Sequence, residues 1–116
     1  MYAAGQCVIG RLPFKDGTPS LYWRPYLIIA VDKTLQEVSI LNISSVAGKE
    51  HKLGFHANVL LKHSIPPLTK PSFVKTDSCQ VICFDTAKDF FLLADGFIMP
   101  AADLNTVLER YRKINK

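Results

Sequence analysis

The segment RPYLIIAVDKTLQEVSILNISS, residues 24–45, carries the clearest structural pattern in the sequence. Pro25 precedes a continuous apolar run, Tyr26–Val31, and a second apolar run follows over Glu37–Ser44. Proline is tolerated at the first residue of a strand, because the hydrogen-bond ladder has hardly begun there. Two runs of strand length separated by the polar residues Asp32–Gln36 are typical of an antiparallel hairpin. We therefore predict two paired strands here.

The predicted hairpin brings two polar positions to one end of the sheet. If the turn is centred near Thr34, Arg24 and Ser44 are each ten positions from that centre. Residues equally distant from a hairpin turn lie opposite one another in an antiparallel pair. The register therefore predicts that Arg24 and Ser44 lie near the same end of the sheet.

Most of the remaining chain up to residue 84 also favours strands. Turn formers follow the first apolar run at Lys15–Pro19, and Pro66, Pro67 and Pro71 indicate an extended connection. The polar segment Val46–His56 is interpreted as a long loop. Four further strands are predicted, over Gln6–Phe14, Asn58–Leu61, Ser72–Val74 and Gln80–Phe84, the last two being separated by an interruption near Asp77.

The period changes near the C-terminal end of the sequence. Apolar residues recur there at helical spacing, at Leu104, Val107, Leu108, Tyr111 and Ile114. We predict an amphipathic helix over Ala101–Ile114, with Pro100 and Asp103 at its start and basic residues at its end. Short strands followed by one such helix predict a mainly β fold, a small closed or half-closed barrel capped by a helix, in a single domain of residues 1–116.

The composition excludes several classes of protein. With 48% hydrophobic and 21% charged residues, the chain lies in the globular range. No segment approaches the ~20 apolar residues that span a bilayer, and the first residues lack the features of a secretory signal. We therefore expect a cytoplasmic protein without a membrane partner. The net charge of +4 is compatible with a phosphate-bearing partner.

The cysteines favour a structural interpretation. Cys7, Cys79 and Cys83 are odd in number and lie in apolar runs, so we predict buried free thiols. The Cys79–Cys83 spacing lacks the second pair of ligands that a zinc site needs. We predict no metal site and no cofactor.

Two groups of residues could carry chemistry. Arg24 precedes a proline, which restricts its backbone to extended conformations and directs its cation from the end of a strand. Ser44 and Ser45 end the next strand. His51 and His56 lie in the polar loop, where a histidine is more often a solvated surface residue. The pattern alone leaves open whether Arg24 pairs with a carboxylate and the serines only close a strand.

Four pieces of the sequence resemble the MazF/PemK toxin family, also described as Kid/CcdB-like toxins. They occur in the family's order and are followed by a helix in the family's position. These pieces are Gly5–Ile9, Arg24–Ile29 with its Arg-Pro signature, Leu41–Ser45 in place of a strand ending in Thr-Ser, and Pro71–Asp77.

The resemblance implies an SH3-like barrel that forms a homodimer, cleaves single-stranded RNA as an endoribonuclease and is neutralised by an acidic antitoxin. It assigns catalysis to Arg24 and to Ser44, which stands where the family has threonine. RNA supplies its own nucleophile, the 2′-hydroxyl, so no metal is required. His51 or His56 is the expected acid or base. The expected RNA-binding residues are Trp23, Ser45, Lys49, Lys52 and Lys75.

Two other functions fit the same sequence. The first is a non-catalytic SH3-like barrel that binds RNA or a protein segment through an aromatic platform of Tyr22, Trp23, Tyr26 and Phe55. The second is a toxin of the same fold that acts on a protein target. The Arg-Pro and Ser-Ser pieces favour the nuclease over the protein-directed toxin.

Overall fold

The chain folds around one antiparallel sheet of six strands. The computed structural model describes residues 2–12, 22–63, 68 and 70–115, with only the backbone for 89–97. The strand order is β4-β5-β3-β2-β1-β6, and the predicted mainly β fold with a C-terminal helix is confirmed. The elements are β1 (Gln6–Gly10), β2 (Arg24–Asp32), β3 (Glu37–Ser45), a 3₁₀ helix (Glu50–Gly54), β4 (Asn58–Leu60), β5 (Ser72–Cys83), α1 (Phe84–Phe90), β6 (Phe91–Ile98) and α2 (Ala101–Ile114).

The predicted hairpin is formed by β2 and β3. Tyr26 lies opposite Asn42, and the pairing is antiparallel down to Asp32 opposite Glu37. A register shift between Ile28 and Ala30 adds one residue to β2. Continuing the Tyr26–Asn42 register by two residues brings Arg24 and Ser44 to the same end of the sheet, as predicted.

Strand β5 differs from the prediction of two separate strands. It is a single strand, and the expected interruption near Asp77 is a bulge in which the four residues Thr76–Cys79 lie opposite Leu41 of β3. The bulge keeps its polar groups paired. The Asn42 N–H donates to Ser78 Oγ (2.9 Å), and the Ser78 hydroxyl donates to the Lys75 carbonyl (2.6 Å). The strand continues because the Ser78 hydroxyl replaces the missing ladder partners.

The bulge is also held from outside the sheet. The Thr76 N–H and hydroxyl both donate to the Ala57 carbonyl, just before β4. The Asn115 side chain, at the C-terminal cap of α2, donates to the Thr76 carbonyl (2.9 Å). Thr76 is fully buried, so these bonds satisfy groups that water cannot reach.

Each of the two helices covers its own apolar cluster on the sheet. Cluster A lies under α2, and cluster B lies under α1. Cluster A contains Cys7, Leu27, Ile29, Leu41, Ile43, Val59, Leu61, Leu68, Val74, Met99 and Val107, with Leu104, Leu108 and Tyr111 packed against it. Cluster B contains Val8, Leu12, Tyr26, Ile28, Val38, Ile40 and Ala87, with Tyr2, Val31, Ile82 and Phe84 packed against it.

Helix α2 has the bounds that its periodicity predicts. Its first turn is tied to the chain after β4 by Asp103, which is almost fully buried. The Asp103 carboxylate accepts the backbone N–H groups of Lys62 and His63, both at 3.1 Å, and lies 3.1 Å from His63 Nδ1. A buried carboxylate with this many donors is stabilised by them, so Asp103 fixes the helix against the sheet.

Several predictions need correction. Strand β1 ends at Gly10 rather than at Phe14, and β5 ends before Phe84, which begins α1. The Val46–His56 loop contains the 3₁₀ helix. The predicted turn at Lys15–Pro19 and the residues Pro66 and Pro67 lie outside the described residues.

The prediction of buried free thiols holds for Cys7 and is wrong for Cys83. All three cysteines are free, but Cys79 is only half-buried and Cys83 is exposed. Cys83 is exposed because it ends β5, at the edge of cluster B. Helix α2 and the other helices in the described part of the chain are too short or too polar to cross a membrane.

Candidate functional site

Arg24 begins β2 at the open end of the hairpin. It pairs with Gly10 of β1, and its side chain is exposed. Because Pro25 excludes the helical conformation for the residue before it, Arg24 is held in extended backbone. The Arg-Pro sequence thus places an exposed guanidinium group at the end of the sheet.

Ser44 lies on the neighbouring strand, β3, and its hydroxyl contacts a second cation, that of Lys49. The Lys49 ammonium donates to Ser44 Oγ at 2.9 Å. The chain between them turns back on itself, because the Lys49 N–H donates to the Val46 carbonyl (2.8 Å) and the Val46 N–H donates to the Pro71 carbonyl (2.9 Å). A hydroxyl that accepts a bond still carries a proton that it can donate, so Ser44 is available to an incoming acceptor.

Lys75 completes the group from β5, where it lies opposite both Asn42 and Asn58. Burial lowers the pKa of the Lys75 side chain, and neighbouring cations lower it further. These cations are, in decreasing order of effect, Lys52, Lys49 and Arg24, and Asp77 offsets part of the change. Both causes disfavour the charged form of an amine.

These side chains surround a cavity of about 40 Å³, called here the basic cavity. It has room for a group of a few atoms, such as one phosphate. Asn42 Oδ1 is buried in its wall and has no hydrogen-bond partner among the described residues. The lining residues are Arg24, Pro25, Tyr26, Asn42, Ile43, Ser44, Lys49 and Lys75.

A wider depression adjoins the basic cavity and shares Pro25 with it. It has a volume of about 310 Å³ and is called here the aromatic cavity. The Trp23 ring is about half exposed, and the Arg11 guanidinium lies 5.4 Å from its centre, within the range of a cation–π contact. The lining residues are Ile9, Trp23, Pro25, Ser45, Leu68, Lys70 and Ser72.

The structure brings together most of the residues that the sequence singles out. Arg24, Ser44, Lys49 and Lys75 line the basic cavity, and Trp23 and Ser45 line the aromatic cavity. Lys52 is close enough to act on Lys75 through its charge.

The two predicted histidines lie elsewhere. His51 and His56 are exposed on and just after the 3₁₀ helix, and neither lines the two cavities. The His56 carbonyl accepts a bond from Arg110 of α2. Their role as acid or base stays a prediction, and their position does not support it.

Two polar residues of the basic cavity, Tyr26 and Asn42, were not among the predicted catalytic or RNA-binding residues. Tyr26 was expected only in the aromatic platform of the non-catalytic alternative, and it is instead buried. Tyr26 looks like part of an apolar run, and burial raises the pKa of its phenol, with Arg24 and the backbone of Leu12 acting in the opposite direction. Asn42 sits in the same polar cluster as Ser44 in the sequence. Alternation along β2 and β3, which places Tyr26 two residues from Arg24 and Asn42 two residues from Ser44, is the signal that could have identified both.

The arrangement is suited to binding and polarising an anion. Guanidinium and ammonium groups converge with a hydroxyl on a space of phosphate size, and charge-assisted hydrogen bonds are the strong ones. Among the described residues, no group of three or more His, Cys, Asp or Glu side chains is placed to hold a metal ion.

Comparison with known proteins gives a structural match. No family model matches the sequence, and no curated protein matches it. A chain in the crystal structure of MazE-MazF (form II) from Deinococcus radiodurans superimposes with a TM-score of 0.63 at 20% sequence identity, covering 97% of this chain and 93% of that one. At this identity the match establishes the fold: the chain has a MazF-like fold.

Proposed function

We propose that this protein is a toxin of a toxin–antitoxin pair, and that it is an endoribonuclease that cleaves single-stranded RNA without a metal ion. The observation that carries the proposal is the basic cavity on a MazF-like fold, where Arg24, Ser44, Lys49 and Lys75 converge. A fold alone does not give an activity. The residues of this cavity are what point to phosphate chemistry.

The basic cavity fits the needs of RNA cleavage. The 2′-hydroxyl attacks the adjacent phosphorus, the P–O5′ bond breaks, and a 2′,3′-cyclic phosphate forms. Negative charge builds on the phosphoryl oxygens, so the protein must position the phosphate and stabilise that charge. The Arg24 guanidinium can hold two phosphoryl oxygens at once. The Ser44 hydroxyl, held by Lys49, donates to an oxygen of the same group.

The aromatic cavity extends the site along the nucleic acid. Its wall combines the exposed Trp23 ring with the polar side chains of Ser45 and Lys70. An unstacked base can lie on such a ring while the Lys70 ammonium binds the sugar-phosphate backbone of the RNA. Because Pro25 borders both cavities, a base in one is adjacent to a phosphate in the other. This arrangement favours a single strand over a duplex, whose bases are not accessible to stacking.

The partner follows from the charge of the site. The cations Arg24, Lys49, Lys52 and Lys75 attract an acidic segment as well as RNA. The structural neighbour is named MazE-MazF, and we extend the pairing with an antitoxin to this chain as a proposal. An antitoxin bound over the basic cavity would compete with RNA.

We also propose a homodimer. Several large apolar side chains are exposed in the described part of the chain, among them Trp23, Phe55, Leu60 and Ile98. Exposed apolar area of this kind often marks an interface. Sedimentation of the purified protein at tens of micromolar is the test, and a monomer there would contradict the proposal.

The activity is tested on purified protein with mixed-sequence single-stranded RNA in excess chelator. We expect fragments ending in a 2′,3′-cyclic phosphate and a 5′-hydroxyl. The control is Arg24→Ala, which removes the principal charge-stabilising group. Cleavage that stops with chelator and returns with a divalent ion would overturn the metal-independent mechanism. RNA binding without cleavage would identify the alternative, a non-catalytic RNA-binding barrel.

A further inference from the structure

RNA cleavage requires two proton transfers that Arg24 and Ser44 do not explain. A base must take the proton of the 2′-hydroxyl, and an acid must protonate the departing O5′. Arginine stays protonated at any working pH, so Arg24 is a poor base. The exposed histidines His51 and His56 do not line the basic cavity. The remaining titratable groups of its wall are Tyr26, Lys49 and Lys75.

Lys75 is surrounded by like charge. Lys49 and Lys52 approach it from the segment that contains the 3₁₀ helix, and Arg24 approaches from β2. Asp77, on its own strand, acts in the opposite direction. Burial and these cations lower the pKa of Lys75, because both disfavour a further positive charge. A neutral amine is therefore easier to form here than at the surface.

The bulge in β5 is what gives Lys75 this position. Gln80 lies opposite Ile40, and Lys75 lies opposite Asn42, although Gln80 is five positions, an odd number, after Lys75 in the sequence. In a regular strand these two side chains would lie on opposite faces. The bulge cancels that alternation, so Lys75 shares the face of Asn42 and Ser44.

Lys49 has a different environment from Lys75. Its ammonium already donates to Ser44 Oγ at 2.9 Å, and the backbone turn from Val46 holds it there. The carboxylate of the next residue, Glu50, accepts a hydrogen bond from the Gly48 N–H, with 3.3 Å between nitrogen and oxygen. Lys49 thus holds an ammonium group beside the Ser44 hydroxyl, which contacts the phosphate in the proposed function.

We propose that Lys75 and Lys49 form the proton-transfer pair of this site, with Lys75 as the general base and Lys49 as the general acid. The inference rests on the proposed function. The neutral Lys75 amine takes the 2′-hydroxyl proton as the 2′-oxygen bonds to phosphorus. The P–O5′ bond breaks, and the O5′ takes a proton from the Lys49 ammonium. One lysine gains a proton and the other loses one, and exchange with solvent restores both.

The base is tested by Lys75→Arg, which keeps the positive charge but cannot supply a neutral base. The substrate is a labelled DNA oligonucleotide with one ribonucleotide at a cleavage site mapped on the wild type, which limits alkaline background. We expect the rate to fall by about 10²-fold or more, while RNA affinity changes by less than about tenfold. Lys33→Arg, at the far end of the hairpin, is the matched control and should cleave like the wild type.

The pH profile of the wild type gives a second test that needs no variant. The rate should rise with pH along a limb whose midpoint lies below the ordinary lysine pKa of 10.5, since the base must be neutral. Lys75→Arg should remove this limb. A wild-type profile without it, or a Lys75→Arg protein with an unchanged rate and profile, would overturn the base assignment.

The acid is tested by replacing O5′ at the mapped site with sulfur, because a thiolate leaves without protonation. Lys49→Ala should lose about 10²-fold with the oxygen substrate and recover most of that loss with the sulfur substrate. Lys75→Arg should be slow with both. If Lys49→Ala is equally slow with both substrates, Lys49 is not the acid. A wild type that cleaves no RNA at all would refute the proposed function, whereas a cleaving wild type with insensitive variants refutes only the pair.

Discussion

The two ends of the β2–β3 hairpin form concave surfaces of very different character. At the open end the basic cavity measures about 40 Å³, and at the turn a cavity of about 570 Å³ is bordered by both strands and by Val81 of β5. The larger one, called here the turn cavity, also has the two carboxylates Asp32 and Glu37 and the single ammonium of Lys33 in its wall.

The turn between β2 and β3 is held by hydrogen bonds of its own. The Leu35 N–H donates to the Asp32 carboxylate (2.9 Å), and Gln36 adopts a positive φ of 54°. The Gln36 carbonyl accepts the N–H of Phe84, which begins α1. Asp32 and Gln36 thus close the turn and connect it to the helix.

The two cavities differ more tellingly in the charge of their walls than in their size. The wall of the turn cavity carries charges of both signs, the Asp32 and Glu37 carboxylates and the Lys33 ammonium. At the open end, cations from three separate parts of the chain face the same small space. The pKa of Lys75 is lowered there, first by burial and then by neighbouring cations. Clustered cations with a perturbed pKa are typical of functional sites, and this is why we propose that the basic cavity binds an anion.

We expect the largest effect when a positive charge is removed at the open end of the hairpin rather than at its turn. Arg24→Ala should reduce the rate of RNA cleavage by about 10²- to 10³-fold, because it removes the group that stabilises the developing phosphoryl charge. RNA affinity should fall by only the ~1–3 kcal/mol of one contact. Lys33→Ala removes one positive charge at the turn and should leave the cleavage rate and the RNA affinity unchanged. Cleavage rate, RNA affinity and thermal unfolding are measured on the same three proteins. An equal loss of affinity and rate in Arg24→Ala would reduce Arg24 to a binding residue.

We expect a smaller effect when a hydroxyl group is removed at the open end of the hairpin rather than near its turn. Ser44→Ala should slow cleavage by about tenfold, the scale of one lost hydrogen bond. Ser44→Thr should retain or raise the rate, because its added methyl restrains the hydroxyl rotamer. The control is Ser39→Ala, which removes a hydroxyl from the wall of the turn cavity. The rates are compared under single-turnover conditions, and a Ser44→Ala protein as fast as wild type would remove Ser44 from the mechanism.

The smallest effect concerns stability. The folded-state pKa of Lys75 lies below its unfolded value, so between the two the unfolded chain binds more protons and stability rises with pH. Below that window the charged Lys75 destabilises the fold. Lys75→Met should therefore raise Tm slightly at pH 7, and its advantage should shrink as the pH approaches 10.5. Thermal unfolding across this range is the measurement, with Lys33→Met as control. A lower Tm for Lys75→Met at pH 7 would contradict the repulsion.

Local patterns predicted the central part of the fold. The runs that became β2 and β3 were identifiable because they are apolar, of strand length and separated by one turn, and α2 was identifiable from its period. Helix α1 and strand β6 share the segment 84–98, whose apolar residues form runs without a clear helical or alternating period. Adjacent elements of different type cannot be separated by composition alone.

The hairpin pattern predicted one part of the site. Arg24 and Ser44 could be paired by counting from the turn. The role proposed for Lys75 could not be anticipated, because its face depends on the β5 bulge and its environment depends on Lys52 and Lys49, which a loop brings back to the sheet. Long-range placement of this kind requires the tertiary structure.

The hydrogen bond from Asn115 to the Thr76 carbonyl has a consequence for the order of synthesis. A ribosome makes β2, β3 and β5 well before it makes α2. Until residue 115 has emerged, the bulge beside Lys75 lacks this bond, and cluster A lacks the helix that covers it. A nascent chain that already contains Arg24, Ser44 and Lys75 therefore lacks one of the bonds that hold the bulge next to Lys75. The site that we propose therefore gains this support only after α2 has been made.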